Sequence, residues 1–231
     1  MQDTSTVRSS PIILSSSTLG RVYALFALAL ALTAAGVYLG LLFAPVLLHS
    51  GVLIVMLIAS LALIFTAQWW MEKSPLNVIL FGVFPLLMGI TFTPYLLMIL
   101  ATYVNAGAIL LNALAATACT AGAAAVFGMT TKWDLSFISR VLFFALIGLL
   151  VIGLLQIFIP ALRTGGMEIL YTGGGVVLFS LFTAYDVQKI QRLAATGASP
   201  FLLALTLYLD IYNLFLFILR FLLAIGGGQR R

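Results

Sequence analysis

The fold is decided by residues 201–225, FLLALTLYLDIYNLFLFILRFLLAI, an almost continuous apolar segment. A helix needs about 20 mostly apolar residues to cross the roughly 30 Å hydrocarbon core of a bilayer. This segment is long enough to cross, and its tenth residue is the acid Asp210. At about 1.5 Å per residue, Asp210 lies roughly 15 Å deep, near the middle of the membrane. A carboxylate at that depth costs several kcal/mol unless it is neutralised, paired or hydrated, which makes Asp210 a candidate functional residue.

The rest of the chain has the same apolar character. Of its 231 residues, 63% are hydrophobic and 7% are charged, whereas soluble domains have roughly 45–50% and about 25%. A soluble domain of this size needs more surface charge, so the composition predicts an integral membrane protein. Nine of the 11 basic residues are scattered singly and the other two end the chain, which excludes a patch that follows a nucleic-acid backbone.

Seven apolar runs are long enough to form membrane helices, and charges, Pro or Gly bound each run. They lie at about residues 22–43, 51–71, 76–103, 106–127, 137–159, 169–187 and 201–225. The third run contains Pro85 and Pro94, which predict a kink or an early end. We therefore predict an all-α, polytopic membrane protein, a bundle of seven transmembrane helices. Six helices with a re-entrant last segment are the main alternative.

The runs predict a single membrane domain, residues 21–225. Residues 1–20 are polar and predict a disordered N-terminal tail, and residues 226–231 form a short basic tail. With a cytoplasmic N-terminus, seven Lys and Arg residues fall on the inner side and only Arg163 lies in an outer loop, as the positive-inside rule requires. The basic C-terminal tail conflicts with this orientation, because seven crossings put it outside.

A second acid is related to Asp210 by position. Asp186 lies near the end of the preceding run, and the two aspartates are equidistant from a predicted turn at residues 196–200. An antiparallel helical hairpin therefore places them at the same height. Two carboxyl groups within hydrogen-bond reach cannot both ionise cheaply, so we expect the pair to share a proton and to act as a pH switch. The alternative is that each aspartate separately caps a broken helix or bonds a neighbouring tyrosine.

Other polar residues lie on the same turns of these two helices. The predicted supporting shell, which would satisfy the remaining hydrogen bonds of the aspartates, consists of Tyr185, Tyr208, Tyr212 and Asn213. Arg220 lies about 15 Å beyond Asp210 on the same helix, so its side chain is expected to reach the outer interface. Glu168 follows Arg163 in a predicted loop and is expected to be a solvated interfacial charge.

Two segments carry a resemblance to a known family. They are residues 184–190, AYDVQKI, and residues 207–215, LYLDIYNLF, with Leu219 and Arg220 beyond. They closely resemble the signature of the Bax inhibitor-1 family, also called the transmembrane Bax inhibitor motif or YccA/YetJ-like family. Weaker matches are GIT at residues 89–91 with Pro94, and KWDLSF at residues 132–137.

The resemblance implies a bundle whose last helix is central and is wrapped by two sets of three helices. It also implies a pH-sensitive calcium leak channel, in which Asp186 and Asp210 act as sensor and gate and bind Ca²⁺ transiently. In some members a basic residue at the end of the second helix latches the aspartates, and here only Lys73, beside Glu72, lies near that position. Bacterial relatives are linked to a membrane-bound AAA protease, which implies an inner-membrane location and such a protease as a partner.

The leading hypothesis is a passive, proton-gated Ca²⁺ pathway whose partners are the lipid bilayer, Ca²⁺ and protons, with no cofactor. Oxygen ligands suit Ca²⁺, but two carboxylates are too few for a tight site, which favours passage over storage. The alternative is a non-conducting regulator that binds and restrains a membrane protease or assembly. A proton-coupled transporter ranks third, because the sequence contains no evident inverted repeat. We expect no enzymatic activity, since the only histidine, His49, is far in sequence from any candidate nucleophile.

Overall fold

A computed structural model describes residues 16–49, 51–194, 196 and 198–226. Every regular element in this part of the chain is helical, which confirms the predicted all-α class. In chain order the α-helices are α1 (Ser16–Leu42), α2 (Ala44–His49), α3 (Val52–Phe65), α4 (Ala67–Trp70), α5 (Leu76–Thr102), α6 (Ala106–Thr130), α7 (Ser139–Phe158), α8 (Gly165–Leu193) and α9 (Pro200–Ile225). Short 3-10 helices at Leu135–Ile138 and Pro160–Arg163 precede α7 and α8.

Six helices of the described chain are long and apolar enough to cross a bilayer, namely α1, α5, α6, α7 with the 3-10 turn before it, α8 and α9. The predicted count of seven is not confirmed, because the second apolar run breaks at Thr66 into α3, with 14 residues, and α4, with 4. The Thr66 N–H still bonds to the Ala62 carbonyl at 3.0 Å, but the Trp69 N–H bonds to the Thr66 carbonyl at 2.9 Å, so the chain changes there to the tighter i→i−3 turn. The alternative of a re-entrant last segment is not found, since α9 is one continuous helix of 26 residues.

Two other boundaries differ from the sequence prediction. α5 continues through Pro85 and Pro94, so an early end of this run is wrong; membrane helices tolerate proline because neighbouring groups satisfy the freed backbone. α1 begins at Ser16, so residues 16–20 are helical rather than part of the predicted tail. They are helical because Leu19 packs against the hydrophobic core and extends the helix. The rest of both predicted tails, residues 1–15 and 227–231, lies outside the described residues.

α9 forms the centre of the bundle. Of its apolar 18-residue window, 61% is buried, compared with 11% for α7. α1 and α5 pack on each other and contact α9, and so do α6 and α8. The last helix is therefore central, as the family resemblance implies.

The starts of α1, α5, α7 and α9 meet at one end of the bundle, which we call the basic end. Val22 of α1 and Leu203 of α9 share a core cluster with Met71, which precedes α5. At the same end, Arg192 near the end of α8 pairs with Asp134, which precedes α7, at 2.6 Å. Together, α3 and α4 therefore return the chain from the far end of α1 to the basic end.

Candidate functional site

Asp186 and Asp210 lie against each other inside the bundle. Their exposed fractions are 6% and 8%, and the two carboxyl groups interact directly. Asp186 lies about two turns before the end of α8, and Asp210 lies about three turns into α9. The antiparallel packing of these two helices thus brings two acids to nearly the same height.

Contacts with α6 and with the segment before α7 position the turn of α8 that carries the first aspartate. Gly128 of α6 packs directly on the carbonyl oxygen of Ala184, leaving no space for a Cβ atom. The side-chain amide of Gln188 donates to the Trp133 carbonyl at 2.8 Å and accepts from the Leu135 N–H at 2.9 Å. Backbone contact on one side and a two-way hydrogen bond on the other therefore fix this turn.

The aspartate pair is short of hydrogen-bond donors. Within the described ranges, Oδ2 of Asp210 is the one buried side-chain polar atom that has no hydrogen-bond partner. Ionised carboxylates only accept hydrogen bonds, whereas a protonated carboxyl group also donates. A single proton held between Asp186 and Asp210 therefore converts two facing acceptors into a donor and an acceptor.

The cation that acts on both aspartates is Lys189, one turn after Asp186 on α8. Its ammonium group lies 5.7 Å from the centre of the Tyr185 ring. Lys73, the predicted latch, is exposed in the turn before α5, and it makes no ion pair with any residue that the structure describes. A latch at Lys73 stays a prediction. The three-residue spacing from Asp186 to Lys189 is the signal in the sequence that points to Lys189.

Two of the three tyrosines of the predicted shell, Tyr208 and Tyr212, turn away from the aspartates. The Tyr208 hydroxyl is hydrogen-bonded to the Thr33 hydroxyl on α1 at 2.7 Å, and the Tyr212 hydroxyl donates to the Met88 carbonyl on α5 at 3.1 Å. Both tyrosines lie two residues from Asp210, and residues at that spacing do not share a face of a helix. Their hydroxyls therefore tie α9 to α1 and α5 instead of binding the carboxyl groups.

The remaining shell residues also have other partners. Asn213 donates to the Leu209 carbonyl of its own helix at 2.8 Å, and Tyr185 lies under Lys189. The residue that the sequence reasoning missed is Thr206, whose hydroxyl lies near Asp186 while donating to the Leu203 carbonyl at 3.1 Å. Thr206 lies four residues before Asp210, a spacing that puts both on one face of α9.

A second polar cluster, the arginine cluster, lies near the other end of α9. It consists of Arg220, Glu168 and Gln156 with the ring of Tyr171. The guanidinium donates to Glu168 Oε1 from Nε at 3.1 Å and from Nη2 at 2.8 Å, and to Gln156 Oε1 at 3.0 Å. Gln156 in turn donates to Glu168 Oε2 at 3.2 Å, and the guanidinium carbon lies 5.1 Å from the centre of the Tyr171 ring.

The arginine cluster corrects two predictions made from the sequence. Glu168 is not a solvated loop residue, because its side chain is 14% exposed and lies in the first turn of α8, where the helix dipole favours an acid. Arg220 does not extend freely to the interface, since Glu168 lies close enough to bind it. Gln156, a polar residue inside the apolar run of α7, is the signal in the sequence that such a cluster exists.

Comparisons with known proteins agree with this architecture. The family profile described as "Inhibitor of apoptosis-promoting Bax1" matches residues 15–227. The chain is 33% identical to the inner membrane protein YbhL of Escherichia coli over 189 residues, which are 77% of this chain and 75% of YbhL. It is 32% identical to an uncharacterized protein of Campylobacter jejuni over 204 residues, 87% of this chain and 86% of that protein. It is 30% identical to a BI1-like protein of Arabidopsis thaliana over 178 residues, 74% of this chain and 65% of that protein.

The profile covers nearly all of the described chain, and the relatives come from bacteria and a plant. The matched region includes both aspartate-bearing helices and the six long apolar helices. The chain is therefore an integral, multi-pass membrane protein that belongs to the Bax inhibitor-1 family.

Proposed function

We propose that the protein is a pH-sensitive passive pathway for Ca²⁺ across the membrane, with Asp186 and Asp210 as its proton sensor. The observation that carries the proposal is the burial of two facing carboxyl groups, Asp210 on the central helix and Asp186 on the helix packed against it. Among the described residues, Oδ2 of Asp210 also lacks a hydrogen-bond partner. Both features are those of a pair that changes its charge with one proton.

Protonation sets the charge inside the bundle. With one shared proton the pair carries a single negative charge, and without it two negative charges lie at membrane depth. The second charge is costly in this environment unless a cation neutralises it. A Ca²⁺ ion entering the bundle supplies that charge and accepts carboxylate oxygens as ligands. Loss of the proton therefore favours entry of the cation, and its return favours release.

The site suits passage rather than storage. Ca²⁺ takes roughly 6–8 oxygen ligands, and Asp186 and Asp210 supply at most four. In the described part of the chain, no group of three or more His, Cys, Asp or Glu residues is placed to hold a metal ion. A Ca²⁺ ion at the pair is therefore held weakly enough to leave.

In this proposal the chain crosses the membrane seven times, with α3 and α4 together as a broken crossing helix and the N-terminus in the cytoplasm. The Ser199 hydroxyl, just before α9, donates to the carbonyl of Met71, just after α4, at 3.3 Å, which places the end of α4 at the basic end and supports this crossing. The orientation then puts the basic end in the cytoplasm, as the positive-inside rule favours. A bacterial inner membrane agrees with the inner-membrane relative YbhL.

Flux of Ca²⁺ into vesicles containing the purified protein tests the proposal. The initial rate is measured with a trapped Ca²⁺-sensitive dye over an acidic-to-neutral pH series. Asp210→Asn and Asp186→Asn keep the side-chain size but cannot ionise. We expect each to lower the flux about tenfold, equivalent to about 1.4 kcal/mol on the barrier, and to abolish its pH response. Asp134→Asn, which changes an exposed acid outside the bundle, is the matched control and should leave both unchanged.

Unchanged flux and pH response in both aspartate variants would overturn the proposal. Absence of flux in the unmodified protein would also overturn it. If a membrane-bound AAA protease then co-purifies with the protein, and still does so with both aspartates changed to asparagine, the non-conducting regulator is the better account.

A further inference from the structure

A large apolar cavity lies beside α9, and its lining includes neither the two aspartates nor the arginine cluster. Its volume is about 790 Å³, within the range of pockets that enclose small molecules, roughly 300–1,000 Å³. Its walls come from α1, α5, α6, α8 and α9. α1 packs mainly on α5 and α9, and α6 packs mainly on α8 and α9. α1 and α6 therefore form opposite walls of the cavity.

The cavity opens sideways between α1 and α6. The exposed residues of its lining all lie on these two helices, at Leu30 and Ala34 on α1 and at Leu114, Ala118 and Gly122 on α6. The lining residues of α8 and α9 lie behind them and are buried or half-buried. Both rims lie in the middle of helices that are long enough to cross the membrane. The mouth therefore faces the hydrocarbon of the bilayer rather than water.

The cavity is long and narrow along the bundle. On α1 its lining extends from Tyr23 to Val37, and on α6 from Leu110 to Ala125. At about 1.5 Å per residue, each stretch is about 20 Å long, which is about two thirds of the thickness of the hydrocarbon core. A slot of this length parallel to the helices fits an extended hydrocarbon chain better than a compact ligand.

Apart from Tyr23 at one end, every hydroxyl group of the cavity wall already donates its hydrogen to the protein. Thr33, Thr117, Thr183 and Tyr212 are its hydroxyl residues apart from Tyr23 at one end. Each of the four donates to a backbone carbonyl, at distances from 2.6 to 3.1 Å. An apolar surface without hydrogen-bond demands gains dispersion contacts from a hydrocarbon occupant. A headgroup, by contrast, would find no free hydroxyl donor on the wall between Tyr23 and the opposite end of the cavity.

We propose that this cavity binds one acyl chain of a bilayer phospholipid, which enters between α1 and α6 and lies along α9 at Ile211 and Phe215. The phospholipid is the favoured source because the mouth opens at the depth where its chains lie. The headgroup stays outside with the other lipids. The bound chain then contacts α9 beside Asp210, so the packing of the central helix includes lipid.

Photolabelling tests the proposal with the full-length protein in phosphatidylcholine vesicles that carry a diazirine near the end of one acyl chain. After illumination, peptides are mapped by mass spectrometry. We expect adducts on Ile211 and Phe215, which lie behind the rims, as well as on lipid-facing residues such as Val151 of α7. The ratio of α9 adducts to Val151 adducts measures occupancy of the cavity.

Gly122→Phe closes the mouth, because a Cβ at Gly122 meets no atom within 4 Å and the ring has room to lie across it. We expect it to lower the α9 ratio about tenfold, equivalent to about 1.4 kcal/mol. Gly107→Phe is the matched control, since it makes the same change on α6 at an exposed position outside the cavity, also with open space. Ala118→Phe is the second closing variant and should act like Gly122→Phe.

Three results would overturn the proposal. The first is labelling of Val151 without labelling of α9 in the unmodified protein. The second is an α9 ratio that both closing variants leave unchanged. The third is evidence that something else occupies the cavity. Such evidence would be α9 adducts that form only with a diazirine-labelled free fatty acid, or cross-links that join α1 of one protein copy to α6 of another.

Discussion

The two polar clusters on α9 hold buried charge in opposite ways. In the arginine cluster, one cation binds an acid and an amide, and the amide binds the acid as well. At the aspartate pair, two acids face each other, and Oδ2 of Asp210 has no partner in the ranges that the structure describes. The same helix therefore carries a complementary cluster near one end and a pair of like groups in its middle.

This difference determines what a proton does at each place. A complementary buried ion pair is strongly destabilised when one partner is lost, so it keeps one arrangement. Two like carboxyl groups have several protonation states, and one proton changes their combined charge. Under the proposed function, the arginine cluster anchors α9 while the aspartate pair responds to pH.

Removing the cation of the arginine cluster is expected to have the largest effect on stability. Arg220→Met keeps an unbranched side chain but leaves Glu168 enclosed without a cation. We expect the free energy of unfolding to fall by about 3 kcal/mol, the lower end of the range for a broken buried pair, because the Arg220 side chain keeps 31% exposure. Denaturant unfolding in detergent micelles, followed by circular dichroism, measures this loss.

A second substitution identifies the cause of that loss. Glu168→Gln added to Arg220→Met removes the unpaired acid and should restore more than half of the stability. If the double variant is as unstable as Arg220→Met, then Arg220 acts through packing on the Tyr171 ring, and the contrast between the two clusters is not one of charge.

Added methyl groups test whether the two regions are packed equally tightly, with a smaller expected effect. A Cβ at Gly128 overlaps the backbone of Ala184, next to the aspartate pair, whereas a Cβ at Gly153 meets only the Tyr171 hydroxyl, at 2.6 Å. Gly128→Ala should destabilise the protein by about 2 kcal/mol, as overpacking does. Gly153→Ala should cost less than half of that, because the tip of Tyr171 can move. The same unfolding measurement compares them, and equal losses would contradict a rigid α6–α8 contact.

The sequence is a more reliable guide to which charged residues are important than to which residues they contact. Asp186 and Asp210 stand out because acids are scarce and because both are equidistant from a turn. Glu168 and Arg220 are 52 positions apart, and no local pattern relates them, so their pairing is visible only once α8 and α9 are packed. Tyr212 binds the Met88 carbonyl instead of the aspartates, because residues two positions apart do not share a face of a helix.

The same limit applies to the fold. Long apolar runs predict the six long helices well, because length and hydropathy decide whether a segment can cross a bilayer. The break at Thr66 is a local change to an i→i−3 hydrogen bond, from the Trp69 N–H to the Thr66 carbonyl, and hydropathy carries no information on it. The small residues of α6 predict close packing in the bundle. In the structure, only the face of α6 that contains Ala113, Ala121 and Gly128 is buried against neighbouring helices. The sequence does not identify this face, because an apolar face is equally stable against lipid.

The smallest effect is expected at an ion pair that has the charges of the arginine cluster without its burial. Arg192 and Asp134 are 2.6 Å apart, with side chains 47% and 63% exposed. The Ser136 backbone N–H, followed by the Arg192 guanidinium, lowers the pKa of Asp134 from 3.8 to about 2. Water competes for both groups, so such a pair contributes little to stability.

The pH dependence of this contribution has a definite sign. Because the pKa of Asp134 is lower in the folded chain than in the unfolded chain, its interactions stabilise the fold fully above pH 3.8 and lose that effect as the pH falls to about 2. Arg192→Gln removes one of the two causes, so the variant should be slightly less stable than the unmodified protein above pH 3.8, and the two unfolding curves should converge near pH 2. Other acids titrate equally in both proteins, so the difference between the curves isolates Asp134. A difference that persists unchanged at the lowest pH would mean that Arg192 holds α8 by packing, and that charge stabilises this chain only where it is buried.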